Sequence, residues 1–496
     1  MTNTPFPKHI EGTPPALQSC RTSILRKIGM ELWKQQGMAV PLIAMNLTWF
    51  AKLSITTMFL GKLGELQLAG GALGFTFANV TGFSVLAGLA GAMEPICGQA
   101  YGAKNYKLLH KTLVMATILL LLVTLPISFL WLNVDKILGH FGQQRDMAAM
   151  AKRYLFYLLP DLIITSFLCP LKAYLSAQGI TIPILFSSTI AVAFHVPINM
   201  ILSKSMGVAG VAMAVWLSDL IMTLVLLISV LIIEIKENVK WRQGGWWDQS
   251  VKDWSILLKL CGPCCLTTCL EWWCYEILVL LTGRLPNARE AVSVMVIVLN
   301  FDYLLFSVMV SLSVSASTRV SNELGANRAR AASWSAYVSL GTAAIAGCLG
   351  AVIMVASRGW WGPMFSHNKG VIRGVKKMMV LMALLELANF PLTVCGGIVR
   401  GTARPWLSSY ASLGGFYLLA LPVGIVLGFK ARLGLEGLLM GFMAGVTLCL
   451  FILLVFVVRT NWVEEAAKAQ ILASDGCVVK EDGQHLTSER KENVMI

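Results

Sequence analysis

The chain has 496 residues, of which 56% are hydrophobic and 13% charged, and its mean hydropathy is +0.70, whereas soluble domains carry about 25% charged residues. A water-soluble core cannot enclose that much apolar surface. The formal charge of +14 comes from Lys and Arg scattered over short connections, not gathered on one stripe between aromatics, so a nucleic-acid partner is excluded.

The first stretch, residues 1–36, is polar and contains Pro5, Pro7, Pro14 and Pro15. It lacks the charged, apolar, then small-residue order of a cleaved signal peptide, so the first span is expected to stay in the membrane as the targeting signal. Apolar runs between charged or Gly/Pro-rich breaks then predict spans near 37–60, 70–93, 110–132, 153–176, 181–203, 208–233, 254–282, 291–317, 332–356, 375–398, 404–428 and 434–458. Each is long enough for a hydrocarbon layer of about 30 Å. Runs such as Val446 to Val458 are apolar on every face, which fits helices and not the alternating strands of a barrel.

The longest polar connection carries Trp241, Trp246 and Trp247 and divides the chain nearly in half. The expected organisation is a cytoplasmic segment (1–36), a six-helix lobe (37–233), a cytoplasmic linker (234–253), a second six-helix lobe (254–458) and a polar, disordered cytoplasmic tail (459–496). Arg21, Arg26, Lys27 and Lys34 favour a cytoplasmic amino terminus, although Arg358, Lys369, Arg373, Lys376 and Lys377 fall on the opposite side.

An internal repeat supports the division. Gln99 to Asn105 resembles Asn322 to Arg328, with Gly102 answering Gly325; Gln178-Gly179 pairs with Arg400-Gly401, and Gly207 with Gly210 answers Gly434 with Gly437. Six spans separate the copies, so both halves insert the same way up, related by a pseudo-two-fold axis along the membrane normal. Gly437, Gly441 and Gly445 form a stripe for close helix packing.

The twelve cysteines lie mostly in apolar runs and read as small buried hydrophobes. Cys261 and Cys264 have redox-pair spacing, but they open a long apolar helix instead of a strand-to-helix turn. No zinc-type spacing occurs.

Carboxylates inside apolar helices are the informative residues, because an ionised acid in a bilayer must be paired, hydrated or protonated. Such an acid can take a proton on one side of a membrane and release it on the other. The seventh span holds Glu271 and Glu276 with Trp272 and Tyr275, the eighth Asn300 and Asp302, and the tenth Glu386 and Asn389. Glu271 and Glu276 are separated by about 140° around a helix, so they face different walls. Glu386 and Asn389 share a face. Lys52, Asp161 and Asp219 read as packing or cavity-wall groups, and Glu94, before Pro95, as an anchor for the 98–105 loop.

Four motifs then resemble the multidrug and toxic compound extrusion (MATE) family, in its plant DETOXIFICATION branch. They are Glu94-Pro-Ile-Cys-Gly-Gln99-Ala-Tyr-Gly102-Ala103, Cys269-Leu-Glu271-Trp272-Trp273, Ser317-Thr-Arg319-Val-Ser-Asn322-Glu-Leu-Gly325-Ala326, and Gly396-Gly-Ile-Val-Arg400-Gly401. The resemblance implies an all-α integral membrane protein with two six-helix lobes in a V shape, exporting organic solutes in exchange for protons, with Glu271 as the proton-coupling acid. Members usually carry a second acid eleven residues before the arginine matching Arg400. That position here is Asn389, and Glu386, one turn earlier, is the candidate substitute. Animal relatives have a glutamate matching Asn300, so Asp302 has no family counterpart.

The expected protein is a proton-coupled antiporter whose solute enters a cavity lined by the first, second, seventh, eighth and tenth helices. Its partners are a small organic solute, protons and the lipid bilayer; it needs no cofactor and works as a monomer in the plasma, vacuolar or endosomal membrane. A channel or signalling scaffold remains open, as does a membrane transferase, though no Asp-rich loop for a metal–diphosphate is present.

Overall fold

The computed structural model describes residues 15–236 and 244–474, with side chains from residue 26 onward. Among them are twelve helices long and apolar enough to cross a membrane. These are α1 (Pro15–Leu63), α2 (Glu65–Gly102), α3 (Tyr106–Leu132), α4 (Arg145–Ala177), α5 (Ile182–Met206), α6 (Val208–Lys236), α7 (Val251–Thr282), α8 (Ala288–Gly325), α9 (Ala329–Ser357), α10 (Lys369–Gly401), α11 (Pro405–Lys430) and α12 (Leu435–Arg459). Helices satisfy every backbone donor and acceptor internally, which lipid demands. Every span expected from hydropathy coincides with one of them.

The ends differ from expectation. Helix α1 already runs from Pro15, so only residues 1–14 of the expected amino-terminal segment lie outside the described residues. The linker is shorter than expected because α6 continues to Lys236 and α7 starts at Val251; Trp241 lies outside the described residues. Helix α7 opens on a capping box in which Ser250 and Asp253 bond each other's backbone.

The expected tail also contains a helix, α13 (Trp462–Ser474). Ala466, Ala469 and Ala473 form its buried stripe. It is pinned to both halves: Asn105 Nδ2 donates to Ala473 O at 2.7 Å, Gln470 donates to Gly325 O, and Arg404 pairs with Glu465. A polar composition concealed this amphipathic turn pattern.

The repeat is visible in the backbone. Lys104 and Asn327, both with positive φ (61° and 56°), occupy matching positions after α2 and α8. Gly207 and Gly434 share φ and ψ to within 2° (62°, −130° and 60°, −132°). One pairing needs correction. The hydrogen bonds Gly179 N to Ser176 O and Ile180 N to Leu175 O are answered by Ala403 N to Arg400 O and Arg404 N to Val399 O, so the counterpart of Gly179 is Ala403 and not Gly401.

The two copies of the first motif also touch each other. A Cβ on Gly102 would lie 2.1 Å from Asn322 O, and one on Gly325 would lie 2.1 Å from Gln99 O. Each contact is the other with the halves exchanged, as a two-fold axis requires. The expected 98–105 loop is therefore largely helix, with Glu94 in the first turn of Met93–Gly102. The glycine stripe of α12 packs as expected, with Gly441 and Gly445 against Gly424 and Gly415 of α11.

Gly102→Ala and Gly325→Ala should each destabilise the folded protein by about 1–3 kcal/mol, the range for overpacking, whereas Gly341, with open space around it, should tolerate alanine. Thermal unfolding in detergent, followed by tryptophan fluorescence, measures this; equal midpoints for all three variants would contradict the contact.

Candidate functional site

The joint between the halves carries buried charge. Arg400, near the end of α10, donates through Nε to Glu94 Oε2 of α2 at 3.2 Å and through Nη2 to Ser313 Oγ at 3.2 Å. Gln99 Nε2 donates to Gly401 O at 3.1 Å. Beside them Arg319 of α8 makes two 2.9 Å bonds to Glu31 of α1 and one of 2.8 Å to Glu323. Such two-pronged pairs fix geometry as well as charge. Asn322 contributes its backbone to the joint, while its side-chain Oδ1 has no partner among the described residues.

Glu271 stands on α7 within the electrostatic reach of Arg400. It forms no hydrogen bond with the described residues, since Arg400 spends its geometry on Glu94 and Ser313. One turn on, Tyr275 packs edge-on against Phe442 (4.9 Å between centroids) and accepts from Asn389 Nδ2 at 3.4 Å.

Glu386 and Asp302 meet between α10 and α8. They are 0% and 3% exposed, and their carboxyl groups face each other. Both oxygens of Glu386 and Oδ1 of Asp302 find no donor among the described residues. Two carboxylates cannot bond each other unless one carries a proton to donate. Either acid can therefore bond the other only by donating a proton. Tyr275 lies within reach of Asp302, Glu386 and Glu271.

The structure therefore brings together Glu271, Tyr275, Asp302, Glu386 and Asn389. It does not bring in Asn300, whose Nδ2 bonds Val296 O of its own helix at 2.9 Å, or Glu276, which turns toward Tyr303. Pairing of Asp302 with Glu386 was invisible in sequence, because it depends on the register of two helices.

A cavity of about 190 Å³ lies mainly in the first half. Its wall comes from α1, α2, α4, α5 and α6, with Trp272 closing it from α7. No α8 or α10 residue lines it, so its helices differ from those expected around the solute. Lys52 Nζ bonds both oxygens of Asp219 at 2.6 Å across α1 and α6, and Asp161 of α4 contacts Asp219. Lys172, which sequence reasoning passed over, lines the same cavity. Four charges summing to zero inside the apolar runs of three spans were the available signal. Helix α2 changes to wider π turns at Asn79–Phe83, and Asn79 joins the wall; such bulges favour functional sites.

Among the described residues no three His, Cys, Asp or Glu side chains converge as metal ligands. Cys261 and Cys264 are buried free thiols inside α7.

The MatE family pattern matches residues 41–201 and 263–426, more than half of the chain. Protein DETOXIFICATION 56 of Arabidopsis thaliana is 60% identical over 454 residues, spanning 91% of this chain and 92% of that protein. Protein DETOXIFICATION 48 of the same plant is 40% identical, spanning 90% and 84%. Among solved structures, the eukaryotic MATE transporter AtDTX14 superposes with a TM-score of 0.84 at 31% identity, over 90% of this chain and 100% of that one. The Vibrio cholerae MATE transporter VcmN in its bent form shares the fold, with a TM-score of 0.75 at 16% identity over 90% and 99% of the two chains.

The facing acids predict a sharp contrast between substitutions. Glu386→Gln supplies a donor to Asp302 and should leave thermal stability nearly unchanged, while Glu386→Ala strands the partner and should cost about 1–3 kcal/mol. Unfolding midpoints of the two purified variants test this, and an equal loss in both would refute the shared-proton geometry.

Proposed function

The chain belongs to the MatE family of transporters, and on that premise we propose that it exports or sequesters small organic solutes in exchange for protons, with Glu271 as the coupling acid. The observation that carries this reading is the position of Arg400 between Glu271 of its own half and Glu94 of the other.

When Glu271 is ionised, Arg400 interacts with two carboxylates. When Glu271 takes a proton, Glu94 remains as the nearest anionic partner, and the bond across the joint strengthens. The proton thereby acts on the two arrangements of the halves unequally, and only such a difference lets one equilibrium drive another. The moving bodies are residues 37–233 and 254–458, rocking about the Gly102 and Gly325 contacts.

The Asp302–Glu386 pair is a second proton store in this scheme, with Tyr275 and Asn389 between it and Glu271. Asn389 is a neutral amide that donates to Tyr275 beside the pair, so Glu386 supplies the acid on α10. Glu276 and Asn300 are assigned to the outer wall. The working unit is a monomer in the plasma, vacuolar or endosomal membrane. Arg26, Lys27 and Lys34 at the start of α1 support a cytoplasmic side for both termini in this reading.

Purified protein in liposomes, offered a panel of organic cations, anions and neutral aromatics, should concentrate at least one against its gradient when a pH difference is imposed. Glu271→Gln should abolish that accumulation while inserting normally. Full pH-driven accumulation by the variant would remove Glu271 from the mechanism, and flux indifferent to pH would remove proton coupling altogether.

A further inference from the structure

We propose that the cavity of the first half is a recognition subsite for an organic anion with a flat aromatic body, its charged group held by Lys172. The inference rests on the transporter reading above and adds the ligand's chemistry.

The charges of the wall do not cancel locally. Lys52 is taken up by Asp219, whose two oxygens both receive its ammonium at 2.6 Å. Asp161 is 2% exposed and shares a hydrogen bond with Asp219, which again requires one proton between two carboxyl groups. With that proton in place, Lys52, Asp219 and Asp161 sum to zero. Lys172 forms no hydrogen bond or ion pair with the described residues, so its charge is the net charge of the cavity. An ammonium held out of bulk water without a partner is costly, and an incoming anion relieves that cost.

Asp161 contributes the second polar contact. Its Oδ1 has no partner among the described residues and accepts one donor from a ligand. Asp161 and Lys172 are both on α4, eleven residues apart, which places them within about 20° on one face and about 16 Å along the axis. The two polar contacts thus mark separate ends of one strip. The same cavity is lined by Trp49, Phe75, Phe83 and Trp272, a wall that suits a planar ring. Behind Lys52, Thr56 also lines the cavity, and its hydroxyl bonds His195 Nε2 at 3.0 Å. His195 Nδ1 is engaged with Ser218 Oγ at 2.9 Å, so this imidazole is committed to packing and free of the ligand. The fitting solute has a carboxylate or phenolate at one end, an aromatic body, and a hydroxyl at the other.

Equilibrium binding to the full chain in lipid nanodiscs, with no gradient, tests the proposal using 4-hydroxycinnamate, its methyl ester, cinnamate and a matching aromatic quaternary ammonium compound. The hydroxylated carboxylate should bind about tenfold or more tightly than the ester or the cation, in line with the strength of a charge-assisted bond. Lys172→Gln should erase that preference and Lys172→Arg should keep it; Asp161→Asn should change affinity for 4-hydroxycinnamate more than for cinnamate. Tighter binding of the cation, unchanged binding by a monodisperse Lys172→Gln protein, or no binding by any probe would overturn the proposal. Glu271→Gln should bind the carboxylate normally, so loss of pH-driven transport in that variant with binding intact separates this inference from proton coupling.

Discussion

Backbone meets backbone where Gly102 faces Asn322 and Gly325 faces Gln99, and the other features of the site depend on that approach. With no side chain between the two helices, Gln99 reaches Gly401 O and Glu94 reaches Arg400. A Cβ at either glycine would separate the halves by the thickness of a methyl group and break those bonds together. Helix α13 covers the same joint through Asn105 and Gly325, and Glu31 ties α1 to Arg319 beside it. Polar and charged groups therefore hold one end of the interface.

The two halves handle buried acid differently. In the first, Asp219 is compensated by Lys52, and Asp161 shares a hydrogen bond with Asp219. In the second, Asp302 and Glu386 face each other with no cation bonded to either among the described residues. A cation fixes one charge state, because removing it leaves an uncompensated buried charge. Without one, the second pair can bond only through a proton. On a backbone that otherwise repeats, the first pair thus has a fixed cation beside it and the second has none among the described residues.

Most of the architecture was legible in the sequence because membrane spans are set by length and hydropathy, which are local. The repeat was legible because Lys104 and Asn327 need the same rare left-handed backbone, and the residues around them kept their types. Helix α13 was not, since its apolar stripe is only alanines within a polar composition. Glu271, Glu386 and Asn389 could be singled out as acids and an amide in apolar runs. Their partners could not: whether Glu386 meets Asp302, or Glu94 meets Arg400, depends on helix rotation and register, which periodicity does not fix. The helices around the first-half cavity could not be named for the same reason, although Lys52, Asp161 and Asp219 stood out in the sequence of α1, α4 and α6.

In the proposed proton exchange, the Arg400–Glu94 bond is the contact on which one proton would act. One pH unit is worth about 1.4 kcal/mol per proton, so a difference of two units supports about a hundredfold solute gradient for one-to-one exchange. The change in the Arg400–Glu94 bond on protonating Glu271 need not exceed a few kcal/mol to use that driving force, and it should not. A much stronger bond would hold the halves in one arrangement, since a two-state equilibrium is tipped from one side to the other by about 5.5 kcal/mol. The geometry is consistent with that limit. Arg400 meets Glu94 through one nitrogen at 3.2 Å, a looser contact than the paired 2.9 Å bonds between Arg319 and Glu31. The tight pair suits a fixed brace, and the loose one suits a bond that must open and close in each cycle.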